Sequence, residues 1–293
     1  MTWCPRVPRS HQPGARFGGY PYEPGTIPGM MAPMTSTEPS LANEARQEEI
    51  LARARTTGRV SVTDLAPDLG VSVETIRRDL KVLADRGVVE RVYGGAVALE
   101  SGSFETSLEF RAGRDVDEKH RIARAALQHR HGAETIYIDE GTMPQFLAEE
   151  LLGQGPATII TPSLPVATRL SADPDLTVII LGGRVRTITR GVVDQWATRM
   201  LADLVIDLAY IGANGISREQ GLTTQDPSVA AVKRTAIERS RRRIFFGAHT
   251  KFGASSLCRF AGVRDFELLI TGTELPASEA RRFSALGPRV VRA

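Results

Sequence analysis

Two residue types that often reveal function are scarce in this 293-residue chain, which has two cysteines, Cys4 and Cys258, and five histidines. The cysteines are far apart and no histidine pair has metal-ligand spacing. The sequence therefore argues against a disulfide framework and a metal site, and it predicts no cofactor. No apolar run is long enough to cross a bilayer. No basic-then-apolar leader is present, so we expect a cytoplasmic protein without a membrane partner.

Excess charge is also small. The formal net charge is +3 and the sequence pI is about 9.1, which mildly favours an anionic partner without identifying it. Within residues 41–99 acidic and basic residues nearly balance, so any case for DNA binding rests on where the arginines are placed. The length is sufficient for one small domain and one larger domain.

The N-terminal segment lacks a pattern that would bury a core. Residues 1–40 are rich in proline and glycine and have no regular apolar period, which predicts a disordered tail. Met30, Met31 and Met34 come shortly before the folded part, so a later start of translation is an alternative explanation for this segment. Both interpretations place the folded region after residue 40.

The most informative segment is a helix with the features of a DNA-reading element. Ser72 is a natural N-cap, because its hydroxyl can accept a hydrogen bond from a free amide of the first turn. Ile76, Leu80 and Leu83 recur at i, i+4 and i+7 and predict one buried face. Gly87 stands where a left-handed residue commonly ends a helix.

The remaining faces of this helix carry residues that suit DNA. Arg77, Arg78 and Lys81 are placed to meet phosphates or the acceptor edge of guanine, and Thr75 is a candidate base contact. Asp79 interrupts the basic run, and we expect it to pair with a neighbouring arginine rather than face DNA. An Arg-Arg pair on a helix is often an ordinary solvated face, so the flanking elements have to support the interpretation.

Two helices precede this one. Apolar periodicity predicts the first over residues 46–55 and a shorter second helix after Gly58, with Ser61 and Asp64 as a capping box. Pro67 falls within the second helix, which we expect to be short or bent. The last two helices are joined by a tight glycine turn, which is the form of a helix-turn-helix.

Strand chemistry follows the third helix. Residues 88–93 and 96–99 are rich in β-forming side chains and flank Gly94-Gly95, which predicts a hairpin. A hairpin directly after a reading helix is a wing. Arg91 and Tyr93 near its tip are candidates for contact with the DNA backbone or minor groove.

The string Thr75-Ile76-Arg77-Arg78-Asp79-Leu80, followed by Gly87 and by Arg91-Val92-Tyr93-Gly94-Gly95-Ala96, is a specific combination. It resembles the winged helix-turn-helix of DeoR-type bacterial transcriptional regulators, over residues 41–99. The resemblance implies that double-stranded operator DNA is bound at paired half-sites by a homo-oligomer. The candidate DNA-binding residues are Ser72, Thr75, Arg77, Arg78, Lys81, Arg91 and Tyr93.

A second pattern begins at residue 118, where β-branched runs alternate with amphipathic helical segments. This alternation predicts an α/β domain with a mainly parallel sheet, covered on both faces, over residues 118–275. We expect residues 100–117 to be a linker and residues 276–293 to be a C-terminal tail. The predicted strands are at 135–139, 157–161, 176–181, 206–212, 243–246 and 268–271.

Several predicted strands end in residues that suit an anion. In parallel sheets, ligands bind outside the carboxyl ends of the strands, where glycine lets backbone amides approach and a helix N-terminus adds a favourable dipole. One such loop is weak support, but four on one rim favour a site. The four loops are Asp139-Glu140-Gly141-Thr142, Thr161-Pro162-Ser163, Gly182-Gly183 and Gly212-Ala213-Asn214-Gly215.

The family resemblance continues through Glu118-Lys119, these loops and Lys251-Phe252-Gly253, and it covers about residues 41–273. It implies a C-terminal effector domain, similar in fold to sugar-phosphate isomerases, that senses a phosphorylated sugar or related metabolite and changes operator affinity. The candidate effector-binding residues are Asp139, Glu140, Gly141, Thr142, Thr161, Ser163, Gly182, Gly183, Gly212, Asn214, Lys233 and Lys251.

The chain departs from the family pattern where the ligand would lie. Glu140 replaces a small hydroxyl residue, and a carboxylate facing a phosphate loop repels phosphate strongly in a dry site and weakly in a solvated one. We therefore expect an altered effector or a degenerate sensor, unless Arg184 and Arg186 offset the charge. The other departures are Met143, Pro162, Val229 and Ala248.

These features together predict a transcriptional regulator, a repressor of carbohydrate metabolism genes controlled by a phosphorylated metabolite. The alternative is an aldose-ketose isomerase with an added N-terminal domain, for which Asp139 and Lys251 are the titratable candidates. Ala248 replaces the carboxylate that such chemistry would use, and likeness of fold does not establish function. We therefore expect no enzyme activity.

Overall fold

The computed structural model describes residues 38–98 and 108–293, with the side chains of residues 38–42, 109 and 110 left aside. Of the predicted disordered tail, residues 1–40, residues 1–37 lie outside the described residues. Residues 100–107 of the predicted linker lie outside them as well. From Ser40 onward the chain forms one unit. Within the described residues, no helix combines the length and apolarity that crossing a membrane requires.

The N-terminal domain is a winged helix-turn-helix, as predicted. Its small antiparallel sheet has three strands: one that precedes the second helix, and the two strands of the hairpin that follows the third helix. The first strand pairs with the second strand of that hairpin, so the order is β1-β3-β2. The elements are α1 (Glu38–Thr57), β1 (Arg59–Ser61), α2 (Val62–Asp68), α3 (Val73–Asp85), β2 (Val89–Val92) and β3 (Gly95–Ala98).

The predicted start and inner face of the reading helix are confirmed. The Ser72 hydroxyl accepts a hydrogen bond from the Thr75 amide at 3.2 Å. Ile76, Leu80 and Leu83 are buried in the core of this domain. Pro67 lies in the last turn of a helix of only seven residues, as expected for a residue that cannot donate an amide hydrogen bond.

The predicted capping box of the second helix does not form. Ser61 is the N-cap, but its side chain makes no capping hydrogen bond. Its hydroxyl lies 2.7 Å from the hydroxyl of Thr63 instead. Ser61 is also the last residue of β1, paired with Gly95, and the strand geometry fixes its position.

The C-terminal domain is built on a seven-stranded sheet in which every neighbouring pair is parallel, which confirms the predicted fold class. The strand order is β15-β14-β12-β9-β4-β5-β6. These strands are β4 (Thr135–Ile138), β5 (Ala157–Thr161), β6 (Leu176–Ile180), β9 (Ile206–Ile211), β12 (Ser240–Phe246), β14 (Leu268–Thr271) and β15 (Arg289–Arg292).

Helices cover both faces of this sheet. Alternate residues of β4 show the two-sided burial: Ile136 and Ile138 enter one apolar cluster, and Tyr137 enters the other. The helices are α4 (Leu108–Ala112), α5 (Val116–Gln128), α6 (Thr142–Leu151), α7 (Leu164–Leu170), α8 (Gln195–Ala202), α9 (Pro227–Arg239) and α10 (Ala277–Ser284).

Shorter elements decorate the rim of the sheet. A two-stranded ribbon and a three-stranded antiparallel sheet extend from the strand ends. They comprise β7 (Arg184–Val185), β8 (Val192–Val193), β10 (Gly215–Ser217), β11 (Gly221–Thr224) and β13 (Cys258–Ala261), with short 3₁₀ helices at His249–Lys251 and Val263–Asp265.

The predicted C-terminal tail, residues 276–293, is wrong. Its residues form α10 and then β15, which pairs in parallel with β14 from Arg289 to Arg292. Phe283 of α10 is 1% exposed, so this segment is part of the core. The error has a clear cause, because Arg-Val-Val-Arg is a short edge strand with no long apolar run to reveal it.

Candidate DNA interface and effector cavity

The exposed side of α3 carries the predicted basic residues. Arg77, Arg78 and Lys81 are all exposed, and Arg77 Nη1 lies 3.4 Å from a carboxylate oxygen of Glu74 one turn earlier. This pair is open to solvent, so it constrains Arg77 little and leaves it available to a phosphate. Ser72 and Thr75 at the start of the helix bond to each other at 2.9 Å.

Asp79 faces away from this surface, as predicted. It is 3% exposed and accepts hydrogen bonds from Arg46 Nε at 2.6 Å and from Gln47 Nε2 at 2.9 Å. The carboxylate therefore fastens α3 to α1. Its negative charge is compensated inside the domain, and the outer face of the helix keeps its basic character.

The wing presents its tip to solvent. Tyr93 is fully exposed and Arg91 is exposed beside it. Arg59 Nη2 donates to the Tyr93 carbonyl oxygen at 3.1 Å and adds a cation at the base of the turn. Sequence reasoning missed Arg59, because β1 was assigned to the second helix and its pairing with β3 is a long-range contact.

Two of the predicted strand-end loops meet at the centre of the second domain. After β4 the chain adds β5 and β6 on one side of that strand, and later adds β9 on its other side. The carboxyl ends of β4 and β9 therefore form a topological switch point, where α/β proteins bind ligands. Asp139 Oδ2 accepts a hydrogen bond from the Gly212 amide at 2.9 Å and an ion-pair hydrogen bond from Lys233 Nζ. Lys233 also donates to the Gly212 carbonyl oxygen at 3.2 Å.

This pair organises the site rather than facing a ligand with an open charge. Asp139 is fully buried and Lys233 is 3% exposed, so each neutralises the other out of contact with bulk water. The Tyr137 hydroxyl donates to the second carboxylate oxygen at 3.4 Å. Burial and the neighbouring Asp139 carboxylate raise the pKa of Tyr137, so it stays a protonated donor.

A cavity of about 320 Å³ opens above these loops, within the size range of small-molecule sites. Its floor includes the first turn of α6, where the amides of a helix N-terminus favour an anion. The Thr142 hydroxyl in that turn is buried and has no hydrogen-bond partner within the described residues. Of the predicted residues, the cavity wall contains Glu140, Gly141, Thr142, Gly212, Asn214, Lys233 and Lys251.

The cavity wall also holds cations that sequence reasoning did not select. Lys119 is 6% exposed, and its ammonium donates to the carbonyl oxygens of Arg111, at 2.7 Å, and of Arg114. The pKa of Lys119 is lowered to about 8, chiefly by burial and in part by the charge of Lys251, while Asp115 and Glu118 oppose the shift. The Glu118-Lys119 motif contained this signal.

Glu140 lines the cavity, and its side chain also contacts neighbouring elements. Its side chain packs over Gly191, where any Cβ would lie 3.0 Å from its methylene carbons. Arg186 Nη1 lies 4.0 Å from Glu140 Oε1, and Arg186 Nε lies 3.1 Å from a carboxylate oxygen of Asp226. Arg186 is shared with the closer Asp226, so it offsets the charge of Glu140 in part, whereas Arg184 is exposed.

Five predicted residues do not line the cavity: the fully buried Asp139, and Thr161, Ser163, Gly182 and Gly183. The Ser163 hydroxyl caps α7, accepting from the Val166 amide at 3.4 Å, and the Thr161 hydroxyl accepts from the Ser163 amide at 3.1 Å. The Gly182 amide points to Met200 Sδ at 3.0 Å, and Gly183 lies beside it. These loops follow β5 and β6, on the far side of β4 from β9.

A separate cluster of Glu118, His249 and Glu274 brings possible metal-ligand atoms within 4.8 Å of one another. No local sequence pattern indicates this cluster, because its residues are distant in the chain. His249 Nδ1 lies 3.0 Å from Glu118, and Glu274 pairs with Arg121 at 2.6 Å. The Glu118 carboxylate also accepts from the His249 amide at 2.8 Å, which holds the loop that carries Lys251.

Comparison with known proteins gives matches in both domains. Residues 46–102 match the DeoR-like helix-turn-helix domain, and residues 114–273 match the DeoR C terminal sensor domain. The chain is 30% identical over 242 residues to the HTH-type transcriptional regulator GolR of Listeria innocua, covering 83% of this chain and 95% of the relative. It is 31% identical over 233 residues to the glycerol-3-phosphate regulon repressor of Escherichia coli, covering 80% and 92%.

Among solved structures, ribose 5 phosphate isomerase A from Neisseria gonorrhoeae aligns over 47% of this chain and 53% of its own, with 12% identity and a TM-score of 0.34. A score this low does not establish a shared fold. The predicted likeness to sugar-phosphate isomerases therefore stays a prediction.

A winged helix-turn-helix followed by a sensor domain defines a ligand-responsive DNA-binding regulator. The chain belongs to the DeoR family of transcriptional regulators. The relatives named above are regulators and not enzymes, which removes the support for the isomerase alternative. Ala248, at 5% exposure in the cavity wall, provides no acid or base there.

Proposed function

We propose that this protein binds operator DNA as a homo-oligomer through α3 and the wing, and that a small phosphorylated metabolite in the cavity changes that affinity. The DNA contacts are Arg77, Arg78 and Lys81 on α3, with Arg91 and Tyr93 on the wing. The single observation that carries the DNA-binding proposal is the exposure of the three α3 cations on the face opposite the buried residues. Paired half-sites require a second copy of the chain.

The charge of the cavity supports an anionic effector. Basic side chains in its wall include Arg111, Arg114, Lys119 and Lys251, and the helix N-terminus at Thr142 adds its dipole. Glu140 opposes an anion less than its sequence position implies, because Arg186 lies beside it. A phosphate or carboxylate with hydroxyl groups fits this environment.

The named relative from Escherichia coli controls a glycerol-3-phosphate regulon. Sugar phosphates and polyol phosphates are therefore the first compounds to test, and carbohydrate metabolism genes are the first candidate targets. A thermal-shift panel of such compounds, followed by mobility shifts in their presence, identifies the class. No stabilisation and no change of operator affinity by any member would refute the phosphorylated-effector proposal.

The DNA proposal is tested by a mobility shift with duplexes from the region upstream of the gene. Arg77→Ala should weaken binding by about tenfold or more, since one lost phosphate or base contact costs about 1–3 kcal/mol. Arg53→Ala is the matched control, because Arg53 lies on α1 and pairs with Glu49 and Asp68. An unchanged affinity of Arg77→Ala would count against the assignment of α3.

Oligomerisation is a separate test. Sedimentation velocity of the free protein and of its operator complex should give an even number of chains per paired site. A single chain on a complete operator would contradict the homo-oligomer.

A further inference from the structure

The wing of the DNA-binding domain forms part of the effector cavity. Glu90 of β2 and Ala98 of β3 lie in the same wall as Lys119 and Lys251. Glu90 Oε2 is 3.7 Å from Arg114 Nη2, which joins the wing to the segment that begins the sensor domain. The wall around a ligand in this cavity thus contains residues of both domains.

The segment that carries Arg114 is held from inside the cavity. Lys119 Nζ donates to the carbonyl oxygens of Arg111 and Arg114, so one buried ammonium fixes the backbone on both sides of residues 112 and 113. An anion that enters the cavity competes with those carbonyls for the ammonium, because a full negative charge is the stronger acceptor. The same anion competes with Glu90 for Arg114.

We propose that Glu90 is a ligand-sensing residue supplied by the DNA-binding domain, and that an anionic effector separates it from Arg114 and thereby changes the position of the wing. This inference rests on the function proposed above and adds the route from the cavity to DNA. Successive residues of a strand point to opposite faces, so Glu90 and Arg91 lie on opposite faces of β2. A shift of the β2 backbone at Glu90 therefore also moves the adjacent Arg91, a predicted DNA contact.

The experiment separates sensing from folding by measuring a ratio. The operator Kd is measured by fluorescence anisotropy with and without a saturating probe, and the probe Kd is measured by calorimetry on the DNA-free protein. Glycerol 3-phosphate and inorganic phosphate are the probes. The variants are Glu90→Gln and Arg114→Gln, and the control is Glu48→Gln, an exposed carboxylate on α1 outside the cavity wall.

Glu90→Gln should bind the probe more tightly by about threefold, because a like charge leaves the cavity wall at a half-exposed position. The factor by which the saturating probe raises or lowers the operator Kd should shrink to about half of its wild-type size. Arg114→Gln should shrink this factor similarly, and combining the two variants should add little further. Glu48→Gln should keep the wild-type ratio.

Two results overturn the inference. If both variants keep the wild-type ratio and probe affinity, Glu90 does not sense the ligand, although operator binding by the wild type would leave the DNA-binding function intact. If the wild-type protein binds operator but responds to no anionic compound, the phosphorylated-effector proposal and this inference fail together. A wild type that ignores operator duplexes instead refutes the DNA-binding proposal.

Discussion

Removing Lys233 should cost the sensor domain much of its stability, because the buried Asp139 carboxyl would lose its ion-pair partner. Asp139 is fully buried, and the side chain of Lys233 is 4% exposed. Breaking a buried ion pair by removal of one partner costs about 3–5 kcal/mol. A domain of this size shifts its Tm by about 2–4 °C per kcal/mol, so Lys233→Met should lower the Tm by at least roughly 6 °C.

The assay is thermal unfolding followed by circular dichroism at a fixed scan rate. Arg239→Met on the exposed side of the same helix is the control and should change the Tm little. The double variant Asp139→Asn with Lys233→Met should recover at least part of the loss, since the unpaired charge is removed. A change below about 2 °C for Lys233→Met alone would refute the reasoning.

Three further outcomes follow from the described contacts. Ser72→Ala should lower the stability of the DNA-binding domain by about 1 kcal/mol in urea unfolding, since the N-cap is lost; a wild-type midpoint would contradict this. Gly95→Ala should disrupt the wing and abolish operator binding in a mobility shift, because its Cβ would lie 1.9 Å from the Val60 carbonyl oxygen; full binding would contradict it. Affinity for a phosphate probe should fall roughly tenfold between pH 7 and pH 9 in calorimetry, because Lys119, with a pKa of about 8, loses its charge in that window. The variant Lys119→Met should show a flat profile.

Local signals predicted the DNA-binding domain well. The cap at Ser72 and the apolar spacing of Ile76, Leu80 and Leu83 are properties of one helix, and the structure reproduces each. The exceptions involve pairing across the chain. Ser61 was placed in a capping box by its spacing from Asp64, but its pairing with Gly95 in the wing sheet decides its geometry.

The effector site was predicted less completely, because it depends on strand order. The sequence indicates that Asp139, Thr161 and Gly182 each lie at the end of a strand, but not that β9 lies on the other side of β4 from β5 and β6. Of the four predicted strand-end loops, only the two beside the switch point line the cavity. To predict that Glu90 and Arg114 line the cavity, one must know how the two domains pack together, and no local sequence pattern encodes that packing.

The final strand, β15, also determines what a C-terminal truncation would do to the sheet. Ala293 donates its amide to Thr271 at 2.8 Å and accepts from the Thr273 amide at 3.1 Å, so the last residue is already hydrogen-bonded into the sheet. Trimming the last five residues would strip β14 of its neighbour and leave a row of unpaired amides and carbonyls, a template for association with other chains.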